Sequence, residues 1–296
     1  MQYIGRFAPS PSGPLHFGSL VTALGSYLQA KSCFGKWLVR IEDIDPPREV
    51  KGASSLILKT LEALHLYWDD EILYQSNCSE RYQAVLQSLL NKQQAYYCNC
   101  TRQRIHNLAN KIYDGFCRNR RLSVKDKDQM AIRIKQNHPV LTFTDKIRGE
   151  QTAQLADALE DFIIHRKDGL FAYNLVVVLD DHEQGITEIV RGADLLPVTT
   201  KQISLYQLFG FSVPTYCHLP LALDKNGNKL SKQNHACPID LNNLKALTVE
   251  ALQFLGQKVP KDWQDATQQQ LLDWAIQHWQ ITNVSKQNIQ LATNIG

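Results

Sequence analysis

The sequence predicts an α/β fold around a parallel sheet, interrupted by an inserted region and closed by a short helical segment. Three observations carry this. Over the first ninety-odd residues, apolar strand-like runs alternate with stretches of helical periodicity, the pattern of strand-helix-strand units. From about Tyr96 a Cys-rich and then basic stretch breaks that pattern. Parallel-sheet character returns at about Leu170, and beyond Asp240 the chain reads as helical. The expected division is a split core of residues 1–95 and 170–240, an insertion of 96–169 and a C-terminal segment of 241–296.

Ile4 to Ala8 reads as the first strand, followed by a Pro- and Gly-rich turn from Pro9 to Pro14. Leu20, Leu24, Tyr27 and Leu28 then recur at helical spacing. Trp37 to Ile41 forms a second strand that ends in the acidic loop Glu42-Asp43-Ile44-Asp45. Val50, Ala53, Ile57, Leu61 and Leu64 mark one helix, and Tyr82, Val85, Leu86, Leu89 and Leu90 another. Within the insertion, Ala131 to Ile134 and Val140 to Thr144 flank a polar turn and predict a hairpin. Leu170 to Asp180, centred on Val176-Val177-Val178, reads as a buried strand. Ile203, Leu205, Tyr206 and Phe209 mark a helix, and stretches around Leu252 and Leu272 predict two more.

At 296 residues, with 44% hydrophobic and 21% charged content, the chain belongs with globular proteins, and disorder throughout is excluded. A net charge of +3 is compatible with a nucleic-acid partner without demanding one. No basic stretch feeds an apolar run at the N-terminus, and nothing approaches the ~20 apolar residues of a membrane span. A cytoplasmic protein without membrane contact is therefore expected, with its thiols reduced. Its seven cysteines then point to metal or packing rather than to disulfides.

The turn from Pro9 to Ser19 joins a strand to a helix, where an α/β sheet offers anions unpaired N–H groups and a favourable dipole. Gly18 leaves room for a ligand against the backbone, and His16 stands at the same mouth as a donor to phosphate. Far along the chain, Asp224 to Gln233 places Lys229, Ser231 and Lys232 beyond a tight Asn226-Gly227 turn, with ammonium groups suited to a triphosphate. Together these resemble the paired signatures of class I aminoacyl-tRNA synthetases, at His16 to Ser19 and at Lys229 to Gln233. Ser19, Leu230 and Gln233 depart from the common pattern in ways the glutamyl branch tolerates.

Four further runs look like glutamate-site motifs of glutamyl-tRNA synthetases. They are Arg6-Phe7-Ala8-Pro9-Ser10, Arg40-Ile41-Glu42-Asp43, Tyr173-Asn174-Leu175 and Val190-Arg191-Gly192-Ala193-Asp194. The resemblance implies a Rossmann-type catalytic domain that activates L-glutamate with ATP and Mg²⁺. It sets Arg6, Tyr173 and Arg191 against the side-chain carboxylate, and Glu42 with Ser10, beside Ala8, against the α-amino group. His16, Gly18, Ser19, Lys229, Ser231 and Lys232 would hold ATP, with His16 and Lys232 catalytic. The chemistry agrees, because a substrate with two carboxylates and one ammonium needs guanidinium forks and an acidic acceptor. Adenylate formation is positional and electrostatic, and requires no protein nucleophile.

Cys98, Cys100 and Cys117 lie within twenty residues of one another, the pattern of a structural zinc site. From spacing alone the fourth ligand is His106, Asp114, His138 or water; similarity to truncated glutamyl-synthetase paralogues implies Tyr113 instead. The same similarity covers nearly the whole chain. After Lys232 only 64 residues remain, too few for a large anticodon-binding domain. The chain thus resembles the glutamyl-Q tRNA(Asp) synthetases, which implies transfer of glutamate to queuosine in the anticodon of tRNA(Asp); a monomer is the default expectation, since no signal in the sequence opposes it. The competing expectations are a compact enzyme charging the 3′ end of tRNA(Glu), and a non-catalytic paralogue that binds RNA or glutamate.

Overall fold

The computed structural model describes residues 2–108, 110–122, 130–230 and 238–291. Ile4–Phe7 (β1) and Lys36–Ile41 (β2) pair in parallel, with Ile4 opposite Lys36 and Phe7 opposite Val39. The helix Phe17–Ser32 (α1) links them, and Leu73–Tyr74 (β3) extends the sheet in parallel after the helix Ala53–Ala63 (α2). Further on, Glu188–Gly192 (β9) and Thr215–Leu219 (β10) form a second parallel pair joined by the helix Thr199–Phe209 (α7). The Thr187 amide donates to the Ile4 carbonyl at 2.9 Å, which brings β9 beside β1. The predicted parallel sheet is present, and its strands converge on the turn after Phe7.

α1 is buried along most of its length, because it is covered on two sides. One side lies on the sheet; the other meets Leu244–Phe254 (α8) and Gln268–His278 (α9), whose Leu252 and Leu271 share a core with Leu20, Leu24 and Leu28. Each such leucine contributes about 1.5–3 kcal/mol relative to exposure. At Gly25 a Cβ would stand 2.8 Å from the Leu219 side chain, so glycine is what lets α1 approach β10. The two terminal helices are present as predicted.

A second core joins the helix Ser79–Asn91 (α3) to an antiparallel sheet of Ala95–Cys98 (β4), Ala131–Ile134 (β5) and Ile163–His165 (β8). Two expectations are corrected here. Ala131–Ile134 and the Val140 to Thr144 run do not form a hairpin. β5 pairs with β4 and β8, whereas Thr142–Asp145 (β6) turns back on Gly149–Thr152 (β7) and meets β10 in parallel at Tyr216. The true turn is Lys146 to Arg148, pinned by the Asp145 carboxylate, which accepts from the Ile147 and Arg148 amides.

The second correction concerns Leu170 to Asp180. Tyr173–Glu183 is a helix (α6), not a strand, and every residue from Leu175 to Asp181 is buried. A helix enclosed on all sides shows no polar face, so its apolar run carries no period that separates it from a buried strand. Asp180 and Asp181 sit in the interior of the molecule, where carboxylates need cationic partners.

Candidate active site

The turn after β1 places the first motif at the N-terminus of α1. His16 is the N-cap residue, and its ring Nδ1 accepts the Ser19 amide at 3.4 Å. A Cβ on Gly18 would lie 3.1 Å from the His16 ring and 3.7 Å from the Leu230 carbonyl. The second motif therefore runs directly past the first. On the far side of residues 231–237, Pro238 bridges to His16, and the Ile239 amide donates to the Leu15 carbonyl at 3.0 Å. Ser231 and Lys232 themselves lie outside the described residues.

One cavity of about 660 Å³ collects the rest of the predicted set. Arg6, Ala8, Ser10, Glu42, Tyr173 and Arg191 line it, and so do His16, Gly18, Ser19 and Lys229. That volume falls in the range of small-molecule sites. Lys229 closes the rim through an ion pair with Asp194 at 2.6 Å; both are more than a third exposed, so the pair is weak and open to exchange for phosphate.

The charged walls are built differently. Arg6 donates Nε to Asp181 at 2.9 Å, and the buried Arg40 donates to the same carboxylate at 2.8 Å. Burial opposes ionisation of Asp181, but Arg40 and Arg6 hold its carboxyl below the usual range, so it stays an anion. Arg40 Nη2 stands 3.5 Å from Glu42 Oε1, too long for a hydrogen bond. Burial pushes Glu42 up to about 7 against the pull of Arg40 and Arg6.

On the opposite wall, Arg191 donates Nε to His218 Nε2 at 3.0 Å and Nη2 to Thr199 Oγ1 at 2.9 Å. A guanidinium only donates, so His218 Nε2 is the acceptor and the imidazole proton sits on Nδ1, facing Asp145 Oδ2 at 2.7 Å. Burial, with Arg191 and Arg148, lowers the His218 pKa and keeps the ring neutral against the opposing pull of Asp145. Although burial opposes it, hydrogen bonds from His218 and the Arg148 amide hold the Asp145 carboxyl below its usual range. Arg191 Nη1 and Glu42 Oε1 are buried and have no hydrogen-bond partner among the described residues. Each is a polar atom whose desolvation costs roughly 1–3 kcal/mol unless a ligand completes it.

Sequence reasoning missed Asp181, Asp145, His218 and Thr199. A pair of acids at the end of an apolar run was the available signal for Asp181; the others carry none, since each is an isolated polar residue whose partner lies far along the chain.

Away from this cavity, the sulfurs of Cys98, Cys100 and Cys117 lie within 4.8 Å of one another. Two of them, Cys100 and Cys117, are 3.5 Å apart, near the spacing of about 3.8 Å that tetrahedral Zn–S bonds produce. Tyr113 is buried in the same cluster, where its Oη accepts the Cys117 amide at 2.7 Å and hydrogen-bonds the Cys98 and Tyr96 side chains. Burial raises its phenol above the ordinary range. The Arg133 guanidinium covers the Tyr113 ring at 3.7 Å. Three convergent thiols and a phenol fit the donor set of a divalent metal. His138 and His106 do not enter the group of thiols.

The chain matches the family described as tRNA synthetases class I (E and Q), catalytic domain, over residues 4–290. It belongs to that family. A glutamyl-Q tRNA(Asp) synthetase of Photorhabdus laumondii is 58% identical over 285 residues, covering 96% of this chain and 89% of the relative. The glutamyl-Q tRNA(Asp) synthetase of Escherichia coli K12 is 56% identical over 292 residues, covering 99% and 94%. Among solved structures, the glutamate-tRNA synthetase from Elizabethkingia anophelis superposes with a TM-score of 0.79 at 26% identity, covering 99% of this chain and 68% of that one. The protein is thus a ligase-type enzyme with the class I catalytic fold, and its relatives place it among the glutamyl-Q tRNA(Asp) synthetases, as its motifs implied. Among the described residues no helix is long and apolar enough to cross a membrane.

Proposed function

We propose that this enzyme activates L-glutamate with ATP and Mg²⁺ in the absence of RNA, then transfers the glutamyl group to queuosine in the anticodon of tRNA(Asp). The observation that carries the first half is a pair of buried atoms without hydrogen-bond partners among the described residues, Arg191 Nη1 and Glu42 Oε1, in one cavity with the His16 loop. A guanidinium and a carboxyl group, each with a hydrogen-bonding position to spare, suit the carboxylate and ammonium of an amino acid, and Arg6 in the same cavity suits a second, side-chain carboxylate. Arg191, Arg6 and Tyr173 receive the side-chain carboxylate; Glu42 and Ser10 receive the ammonium. Binding the ammonium draws Glu42 back into its anionic form.

The α-carboxylate oxygen then attacks the α-phosphorus of ATP, the bond to the bridging oxygen breaks, and pyrophosphate leaves with that electron pair. His16, Lys229 and Lys232 disperse the charge that gathers on the phosphate oxygens, with Ser231 beside them. The second half is supported by relatives that bear the glutamyl-Q tRNA(Asp) synthetase name over nearly their whole length. Cys98, Cys100, Tyr113 and Cys117 hold a structural zinc ion, supported by the convergence of the three thiols.

Glutamate-dependent exchange of labelled pyrophosphate into ATP, assayed without RNA, tests activation. Lys232→Ala is expected to abolish exchange while glutamate still binds, because an ammonium on phosphate serves the transition state and not the amino acid. Labelling of queuosine-bearing tRNA(Asp), and not of its guanosine-bearing form, is the expected result for transfer. About one zinc per chain is expected by metal analysis. Cys117→Ser should lose that zinc and melt earlier while exchange persists.

A further inference from the structure

A second cavity of about 570 Å³ backs onto the first, and Ser10, Glu42 and Tyr173 line both. His16, Gly18, Ser19 and Lys229 do not line it, and of the first loop only Ser10 to Ser12 do. Ile44, Ile163 and Phe171 supply apolar surface there. Phe171 is held edge-on between the Tyr82 and His165 rings, each at 5.3 Å. Arg166 pairs with Asp45 at 3.0 Å on the same lining. Gln75 is fully buried; its amide nitrogen donates to Asp180 at 2.6 Å, yet its Oε1 has no partner among the described residues.

The function proposed above, on which this inference rests, gives that wall a meaning. A glutamyl group whose amino end is held at Glu42 and Ser10 has its carbonyl carbon beside the wall, and AMP fills the side bounded by His16. The acceptor must come from elsewhere. We propose that the second cavity is the acceptor site, taking one nucleoside turned out of the anticodon loop so that its hydroxyl meets the glutamyl carbonyl at the Glu42 and Tyr173 wall.

Its volume lies within the roughly 300–1,000 Å³ of sites for small ligands. Phe171 and the two isoleucines offer faces to a base, as pockets for extruded nucleotides do. Gln75 Oε1 accepts from a hydroxyl or amine of the nucleoside, which removes the cost of leaving it unpaired. Asp45 and Arg166 meet the nucleoside's amine and its phosphate. In transfer, the acceptor oxygen bonds to the carbonyl carbon and the bond from that carbon to the phosphate oxygen breaks. AMP departs with the electron pair, and the hydroxyl proton passes to its phosphate.

Ile44→Trp fills the cavity without touching the first one. It should keep glutamate-dependent pyrophosphate exchange within about twofold of the parent and cut transfer to queuosine-bearing tRNA(Asp) at least tenfold. Arg166→Ala and Phe171→Ala should raise the KM for that tRNA at least threefold, again with exchange intact. Parental transfer by Ile44→Trp overturns the proposal, as does a loss of exchange in a variant that melts like the parent. If Ile44→Trp does not fold, parental transfer by both other variants overturns it instead. Failure of the queuosine reading shows separately, as equal labelling of guanosine-bearing tRNA(Asp) or labelling of tRNA(Glu) by the parent. The split between exchange and transfer is then measured with that RNA.

Discussion

Arg6 and Arg191 line the same cavity, but opposite kinds of neighbour hold them. Arg6 is tied to a buried carboxylate that Arg40 also holds, at 2.9 Å and 2.8 Å, so its charge is largely balanced within the protein. Arg191 is held by a neutral imidazole and a hydroxyl, at 3.0 Å and 2.9 Å, and among the described residues no carboxylate pairs with it. The charge of one guanidinium is largely balanced inside the protein, and on the proposed binding mode the other carries the larger share of the pull on the substrate carboxylate. A cavity that must attract a dicarboxylate and still fold needs both arrangements.

The sharpest break of this comparison is Arg191→Ala. Glutamate KM in pyrophosphate exchange should rise roughly a hundredfold or more, from the ~3 kcal/mol lost when a buried charge loses its partner. Arg6→Ala should also weaken glutamate, but its distinguishing effect is on folding. Asp181 would be left with Arg40 alone, and urea denaturation should show a loss of about 3 kcal/mol, larger than for Arg191→Ala. Equal stability losses in the two variants would erase the distinction.

His218→Ala probes how Arg191 is aimed. It removes the acceptor of Arg191 Nε–H and should raise glutamate KM about tenfold with kcat largely kept, whereas Asp145→Asn, which retains an acceptor for Nδ1–H, should do less. A fall in kcat at unchanged KM would contradict the assignment.

The smallest effect is in pH. Glu42 is raised to about 7 in the free enzyme; if, as proposed, it holds the substrate ammonium as an anion, glutamate affinity should be full above that value. Affinity should fall by about tenfold per unit below it. Folding responds in the opposite sense, because a carboxylate with a raised folded-state pKa takes up its proton more readily folded than unfolded. That term opposes stability above pH 7 and is relieved as pH falls through 7 toward the ordinary carboxylate range. Glu42→Gln should flatten both profiles.

Legibility in the sequence followed the range of the interactions. β1, β2 and the helices from α1 to α3 were readable because their periods and turn residues are local. The cysteine cluster was readable because its thiols are close in sequence. The helix at Tyr173–Glu183 was not, since complete burial erases the period that would announce it. The sequence sets the β6 run against β5, whereas its partners are β7 and, about seventy residues later, β10, because strand register carries no local mark. Asp181 finds Arg6 across 175 residues of chain, and His218 finds Asp145 across 73, so single residues of either pair look incidental.

The last described residues bear on the reaction chamber itself. Ile289–Gln290 (β12) runs parallel to Ala222–Leu223 (β11), and Asn288 Oδ1 accepts both the Leu221 amide at 3.1 Å and Arg148 Nη2 at 2.7 Å. Leu221 and Ala222 belong to the floor of the substrate cavity, immediately before the lysine loop. The tail thus anchors the segment that leads into Lys229 and Leu230, and a chain clipped before Val284 should lose that anchor while keeping the proposed glutamate-facing residues.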